Sequence, residues 1–393
     1  MIPHHYEISN ELPHKKSPFS YLSHSMATIL LILFTSCALF QIVYHFYVFG
    51  RLWLHEDKTA EPKQWPAVSI VIAARNEASN LLAYLPKVLE QDYPGQWEVV
   101  LANDRSSDES EKILKRFQNQ YKHLKVIHIE ENAEVKLQGK KYALDKGIRH
   151  TRFDRLVFID ADCWPNSDQW VRQMIQQCRD DHTIVLGIGQ YVKKKNLMNS
   201  LIQYETFLTA NQYLSRALLK DPYMGVGRNL SYSKKSYLEI GGFSAHEDVL
   251  SGDDDLFINE IGQRTDCKIA VAKSVQTLSE PPLNWAAWTH QKKRHYSTAT
   301  RYQFRHQLIL GLYALTHFGF HISFLLILLM GVGLKFVLIL ATQKCIVQLL
   351  NFNTAYKSQQ FFAHYPLWLM DVIFVIYYVV HLPSVLTSTK RKW

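Results

Sequence analysis

Apolar positions along this chain fall into two kinds of run, and the change between them divides it. Met26 to Phe49 holds no Asp, Glu, Lys or Arg. As a helix rising ~1.5 Å per residue it would extend roughly 35 Å, enough for a bilayer core of about 30 Å. A cleaved signal peptide would have a shorter apolar region and would not normally follow so long a polar lead, so the pattern predicts an anchor. Two further spans are expected at about 308–330 and 366–386. Residues 333–350 between them are apolar but contain Lys335, Gln343 and Lys344, and fit either a short span or a helix lying at the interface.

From Ala67 the runs become short and alternate in period. Val68–Ala73 reads as a buried strand, and Leu81, Leu82, Leu85, Val88 and Leu89 recur at helical spacing before the Tyr93-Pro94-Gly95 stop. Glu98–Ala102, Lys125–Ile129 and Leu156–Ile159 are the next strands. Ser106, Ser107 and Asp108 offer helix caps, and a helix is expected from about Lys140 to His150. Alternating strands and helices predict an α/β domain with right-handed crossovers and a mostly parallel sheet. Ligands of such sheets sit beyond the C-terminal strand ends. The residues there are Arg75-Asn76-Glu77, Asn103-Asp104 and Asp160-Ala161-Asp162.

The predicted organisation is a polar tail (1–25), a membrane helix (26–49), a linker (50–66), a cytoplasmic domain (67–300) and a C-terminal membrane region (301–393) of two to four helices. The formal charge of +9 sharpens the orientation. Arg51, Lys58 and Lys63 follow the first span, and Lys292, Lys293, Arg294, Arg301 and Arg305 precede the second. Positive flanks on both sides place the central domain in the cytoplasm of an inner-membrane protein. Lys390, Arg391 and Lys392 would favour the same side, which is a vote for two later spans. The excess charge is thus explained at membrane flanks, and no aromatic-interleaved module for nucleic acid is present. Five scattered cysteines exclude a disulfide framework and fit a reducing compartment. His4, His5 and His14 lie in the tail without metal-ligand spacing.

Asp160 and Asp162 carry the strongest chemical signal. Two carboxylates at a strand end suit a hard divalent cation, which prefers carboxylate and phosphate oxygens. Three adjacent aspartates, Asp253 to Asp255, are costly to bury without a cation or a shared proton, and one with a raised pKa would suit a general base.

In these residues the chain resembles the family 2 glycosyltransferases. Val68 to Glu77 resembles that family's first strand and its Asn-Glu turn, and Asn103 to Asp108 its Asp-Asp-Gly-Ser-Thr-Asp segment. Gly139 to Asp145 resembles its Gly-Lys-x-x-Ala-Leu-Asn segment, and Asp160-Ala161-Asp162 its Asp-x-Asp. Gly227-Arg228-Asn229-Leu230, with Gly241-Gly242-Phe243 beyond, is similar to an acceptor-side segment. Gly252 to Leu256 resembles the acidic catalytic motif, and Gln291 to His295 the Gln-x-x-Arg-Trp motif. The resemblance runs in the expected order from roughly Ala67 to His295.

The resemblance implies a single Rossmann-like, glycosyltransferase A-type domain and an inverting transfer of one sugar from a nucleotide-sugar donor, most often a UDP-sugar. The hydroxyl acceptor would be a membrane lipid or lipid-linked. It implies donor contacts at Arg75, Glu77, Asp104, Lys140, Asp160, Gln291 and Arg294, and Mg2+ or Mn2+ at Asp162 and Asp160. It implies a base at Asp253 or Asp254, between which the sequence does not choose, and acceptor contacts at Gly227, Arg228, Asn229 and Trp288. Arg105 replaces a family glycine, so its loop would be tighter or its guanidinium would touch the donor. His295 replaces the tryptophan associated with processive synthases, which argues for single addition. A processive polysaccharide synthase and a non-catalytic nucleotide-sugar-binding membrane protein are the alternatives.

Overall fold

The four strands expected from the sequence lie side by side and run the same way. The computed structural model describes residues 18–57, 60–130, 137, 139–359 and 367–386. The tail's first seventeen residues, its three histidines included, and Lys58, Pro366 and Lys390 to Lys392 lie outside the described residues. Strands β1 (Val68–Ala74), β2 (Trp97–Asp104), β3 (Leu124–Ile129) and β4 (Arg155–Phe158) pair in parallel, with β1 between β2 and β4. β1 is buried throughout, which is why it reads as a continuous apolar run rather than an alternating one. Its register places Ala74 beside Asn103 of β2 and Val71 beside Phe158 of β4, so the three chains leave the sheet at one edge.

The second half of the domain departs from this pattern. β5 (Cys163–Pro165), β6 (Ile184–Leu186), β7 (Gly189–Tyr191), β8 (Leu230–Ser233), β9 (Cys267–Ile269) and β10 (Thr277–Ser279) are three or four residues each. The main sheet is ordered β3-β2-β1-β4-β8-β6-β9, and β5, β10 and β7 form a small second sheet. β8 lies antiparallel to β4, with Leu230 opposite Phe158. Its entry end therefore sits at the edge where β4 exits, and Gly227-Arg228-Asn229 meets Asp160-Ala161-Asp162. A purely parallel sheet would have put those segments at opposite edges.

The N-terminal helix Pro18–Tyr44 continues through a π-helical turn (His45–Phe49) and a short helix (Gly50–Trp53). The helical path therefore runs a few residues past Phe49 before the expected linker. It packs on Phe304–Met330, where Phe34 stacks on Phe320 with ring centroids 5.2 Å apart. By length and composition Ser25–Trp53 and Phe304–Met330 could each cross a membrane, while Trp368–Val380 is a shorter apolar run. Their outward residues are apolar, as at Ile29 (65 % exposed) and Leu329 (76 %). The intermediate segment forms the single helix Leu334–Gln359, and Leu367–Leu386 forms the last.

One long element was not foreseen. Helix Leu197–Leu218 is buried on nearly every side, polar residues included. Asn196 starts it, its side chain accepting the Asn199 N–H at 2.7 Å. This helix packs on Leu367–Leu386 and, through Gly50–Trp53, on the N-terminal helix, so it joins the α/β domain to the apolar helices. Trp288 of helix Trp285–Ala299 makes a second join. It is fully buried and stacks on Tyr377 at 4.5 Å. Trp288→Ala is expected to cost about 3–5 kcal/mol, read as a lower melting temperature of the detergent-purified protein.

Candidate active site

At the sheet edge the loops after β1 and β2 are tied together. Asn76 adopts a left-handed backbone (φ 56°), and its side-chain oxygen accepts the Ser107 N–H at 2.8 Å. Ser106 Oγ accepts the Asn76 N–H and donates to Asn103. Asp108 accepts from Ala78 N–H and Ser110 N–H, serving the first turns of two helices at once. These bonds fix Arg75 and Glu77 at the mouth of a cleft of about 810 Å3.

Arg75, Glu77, Lys140, Asp160, Asp162, Arg228, Asp253, Asp254 and Arg294 all line this cleft. Lys140, at the start of helix Lys140–Arg149, forms ion pairs with Asp160 and, at 3.2 Å, with Asp253. Burial works against its charge, and the two carboxylates override it and raise its pKa. Burial likewise disfavours ionised Asp253, and Lys140 prevails and lowers that pKa. Asp254 is pushed up to about 8, by burial first and then by Asp253 and Asp255. Burial also raises Glu77, whose carboxylate accepts from Asn80 at 2.6 Å.

The three adjacent aspartates have separate surroundings. Asp254 accepts the Gly227 N–H on Oδ2 (2.7 Å) and the Asp255 N–H on Oδ1 (2.8 Å), capping helix Asp255–Ile261. Asp255 accepts from the hydroxyls of Thr298 and Tyr302, which fastens the end of helix Trp285–Ala299. Asp253 alone of the three pairs with Lys140.

Asp160 and Asp162 fit a hard divalent cation. Their carboxylates lie with the Cys163 thiol in one cluster of possible ligand atoms. Cys163 donates to Asp162 Oδ1 at 3.2 Å, and burial raises its pKa well above the usual thiol range. It stays a thiol, and the donor set offered to an ion is oxygen.

Five expected contacts are not at the cleft surface. Asp104 is fully buried, and Arg105 clamps both its oxygens at 2.7 and 3.0 Å. Arg105 keeps the left-handed backbone (φ 51°) that a glycine would take freely. The loop is therefore glycine-like in path, and the guanidinium binds Asp104. Asn229 is fully buried, donating to the carbonyls of Ile188 and Val275 and accepting from the Trp170 indole. Gly227 serves Asp254 through its N–H. Gln291 donates to the Tyr191 hydroxyl at 2.9 Å. Trp288 is fully buried, stacks on Tyr377 and is not among the residues that line the cleft.

Arg228 does reach the cleft. It bonds Ser279 Oγ and the Gly189 carbonyl, with Tyr191 beneath its guanidinium at 4.6 Å. Glu205, Thr206, Thr209 and Tyr213 also line the cleft, all from helix Leu197–Leu218. Sequence pattern gave no sign of them, because that helix mixes polar and apolar residues around its whole circumference.

Asn229→Ala would leave two carbonyls and an indole N–H unpaired in the core, at a cost of roughly 3 kcal/mol or more. The denaturation midpoint should fall sharply. An acceptor contact would instead raise KM and leave that midpoint unchanged.

Comparison with known proteins bears on what this cleft is. The profile described as Glycosyl transferase family 2 matches residues 69–241, and that described as Glycosyl transferase family group 2 matches residues 156–380. Glycosyltransferase AglE of Haloferax volcanii is 26% identical over 192 residues, covering 48% of this chain and 59% of that protein. The poly-beta-1,6-N-acetyl-D-glucosamine synthase of Staphylococcus epidermidis is 30% identical over 124 residues, covering 30% of this chain and 28% of that protein. The chain thus spans less than two thirds of the length of either. Among solved structures, the mannosyltransferase PcManGT from Pyrobaculum calidifontis, in complex with GDP-Man and Mn2+, superposes with a TM-score of 0.56 at 18% identity. That likeness covers 89% of this chain and 99% of the other, and concerns the fold.

Proposed function

This chain belongs to the family 2 glycosyltransferases, and from that premise we propose that it transfers one sugar, with inversion, from a nucleotide-diphosphate sugar to a lipid or lipid-linked hydroxyl at the cytoplasmic membrane face. The observation that carries the reading is the lining of the cleft. One continuous cleft is lined by Arg75, Glu77, Asp160, Asp162 and Asp253 and also by Thr209, Ala210 and Leu310. Leu310 belongs to Phe304–Met330, a candidate membrane span, so a cleft that includes it suits an amphiphilic acceptor. The basic residues Arg51, Lys63, Arg301 and Arg305 beside the two candidate spans support the cytoplasmic side.

Asp253 is the proposed base. It lines the cleft and is held ionised by Lys140, whereas both oxygens of Asp254 accept backbone N–H groups. The acceptor hydroxyl gives its proton to Asp253 as its oxygen bonds to the anomeric carbon. The bond from that carbon to the diphosphate oxygen breaks on the opposite face, and the nucleotide diphosphate leaves. Arg294 is placed to hold the departing phosphates. Mg2+ or Mn2+ at Asp160 and Asp162 would screen the diphosphate charge. A structural relative that holds GDP-Man with Mn2+ supports that cofactor.

The polysaccharide synthase among the relatives keeps processive synthesis as a second reading. Product length separates the two, since single addition yields one species and processive synthesis a ladder.

The deciding experiment incubates detergent-purified protein with Mn2+, a panel of nucleotide sugars and a lipid extract as acceptor source, with and without EDTA. Nucleotide diphosphate release from one donor should be lost on chelation and at least 100-fold lower in Asp162→Ala. Release indifferent to both would remove the metal from the reaction.

The base assignment has its own test. Asp253→Asn should keep donor binding and lose transfer by about 1000-fold. A base at Asp253 keeps kcat/KM level into mildly acid solution, whereas a base at Asp254 makes it fall below pH about 8. Lys140→Met removes the charge that lowers Asp253, so the acid limb should move to higher pH.

A further inference from the structure

Outside the residues that line the cleft, a cluster of ionisable side chains is buried among the apolar helices. His317 and His321 stand one turn apart on Phe304–Met330, with ring centroids 5.2 Å apart. Both present Nε2 to Asp371 of Leu367–Leu386, at 3.2 Å from Oδ1 and 3.0 Å from Oδ2. Lys344 of Leu334–Gln359 reaches the same Oδ2 at 3.1 Å, and the Tyr204 hydroxyl donates to Oδ1 at 2.6 Å. Ionisable groups at such depth are costly, and a function commonly accounts for them.

An Asp–Lys pair alone would balance the charge but would not account for His317. That residue is 2 % exposed, and its Nδ1 has no hydrogen-bond partner among the described residues. Its Nε2 stands 3.2 Å from Asp371 Oδ1. Leaving an imidazole so placed costs free energy unless something else engages it. One ring nitrogen from each histidine and a carboxylate oxygen lie within 4.8 Å of one another, and a modest contraction would let all three reach one zinc ion at ~2.0–2.2 Å. A cavity of about 160 Å3, lined by His321, Lys344, Cys345 and Asp371, adjoins them and leaves room for entry and a fourth ligand.

We propose that His317, His321 and Asp371 form a second metal site, for a borderline transition-metal ion such as Zn2+, separate from the hard-cation site at Asp160 and Asp162. Two imidazoles and one carboxylate favour such an ion over Mg2+. Tyr204 is the positioning residue that orients the carboxylate. Lys344 is the competitor: its ammonium holds Oδ2, and an incoming cation must drive it into the adjoining cavity. Metal binding here would pin two apolar helices, Phe304–Met330 and Leu367–Leu386, to each other and, through Tyr204, to helix Leu197–Leu218, which lines the active-site cleft.

The test uses untagged, full-length protein in detergent, stripped of metal and titrated with Co2+ as a spectroscopic probe. One Co2+ with the visible bands of nitrogen-ligated, tetrahedral cobalt should bind, persist in Asp162→Ala and be displaced by one Zn2+. The bands should vanish in the His317→Ala, His321→Ala double variant, with retained nucleotide binding showing that it is folded. Tyr204→Phe should weaken Co2+ binding about 10–100-fold, and Lys344→Met should strengthen it several-fold. Absent bands in both the native protein and Lys344→Met, or bands that survive the double histidine variant, would overturn the site. The cluster would then be an ion-pair network only.

Discussion

Asp160, Asp162, Asp253 and Asp254 crowd one cleft, and without a cation among them their mutual repulsion and desolvation would oppose folding. Lys140 stands between Asp160 and Asp253 and joins the strand-end pair to the acidic triplet. It comes from a third segment, the start of helix Lys140–Arg149, so one ammonium fixes the distance between three parts of the chain. The arrangement also sorts the carboxylates chemically. The one beside Lys140 is held ionised, and its neighbour Asp254, deprived of a cation partner, is pushed toward the protonated form. Adjacent residues of the same type thereby acquire different chemistry from placement alone.

That placement rests on the sheet. Parallel β1, β2 and β4 deliver their following loops to one edge, and antiparallel β8 delivers its preceding loop to the same edge. The first half was legible in the sequence, because strands buried on both faces leave unbroken apolar runs and polar residues at their ends stand out. The short strands of the second half were not. Three or four residues carry no usable period, and a strand's direction leaves no trace in its composition. Helix Leu197–Leu218 was hidden for a related reason. Ser200, Gln203, Glu205 and Asn211 are buried in it beside Leu201 and Phe207, so no apolar stripe marks one face.

The candidate site was legible as a set of residues and much less so as a set of roles. Motif spacing located Glu77, Lys140, Asp160, Asp162, Asp253 and Arg294, and these share the cleft. Spacing says nothing of which way a side chain turns. Asn229 sits in a motif segment and Trp288 just before one, yet both turn inward, and Asp104 is reached first by its own neighbour Arg105. Arg105 illustrates how a departure from a family pattern keeps part of it. The backbone stays in the glycine conformation, while the added side chain closes over an aspartate that a glycine would leave open.

The join between the α/β domain and the apolar helices is polar as well as apolar, and this constrains how the two can move. Glu205, Tyr213 and Thr209 face the cleft from the same helix whose Tyr204 hydroxyl binds Asp371. Tyr378, on the helix that carries Asp371, donates to Glu205 in turn. A shift of Leu367–Leu386 would therefore have to break hydrogen bonds at Tyr204 and Glu205 together. Helix Leu197–Leu218 is thus the element through which a change in the packing of the apolar helices would be felt in the cleft. Its buried polar residues, which obscured it in the sequence, are what couple it to both sides.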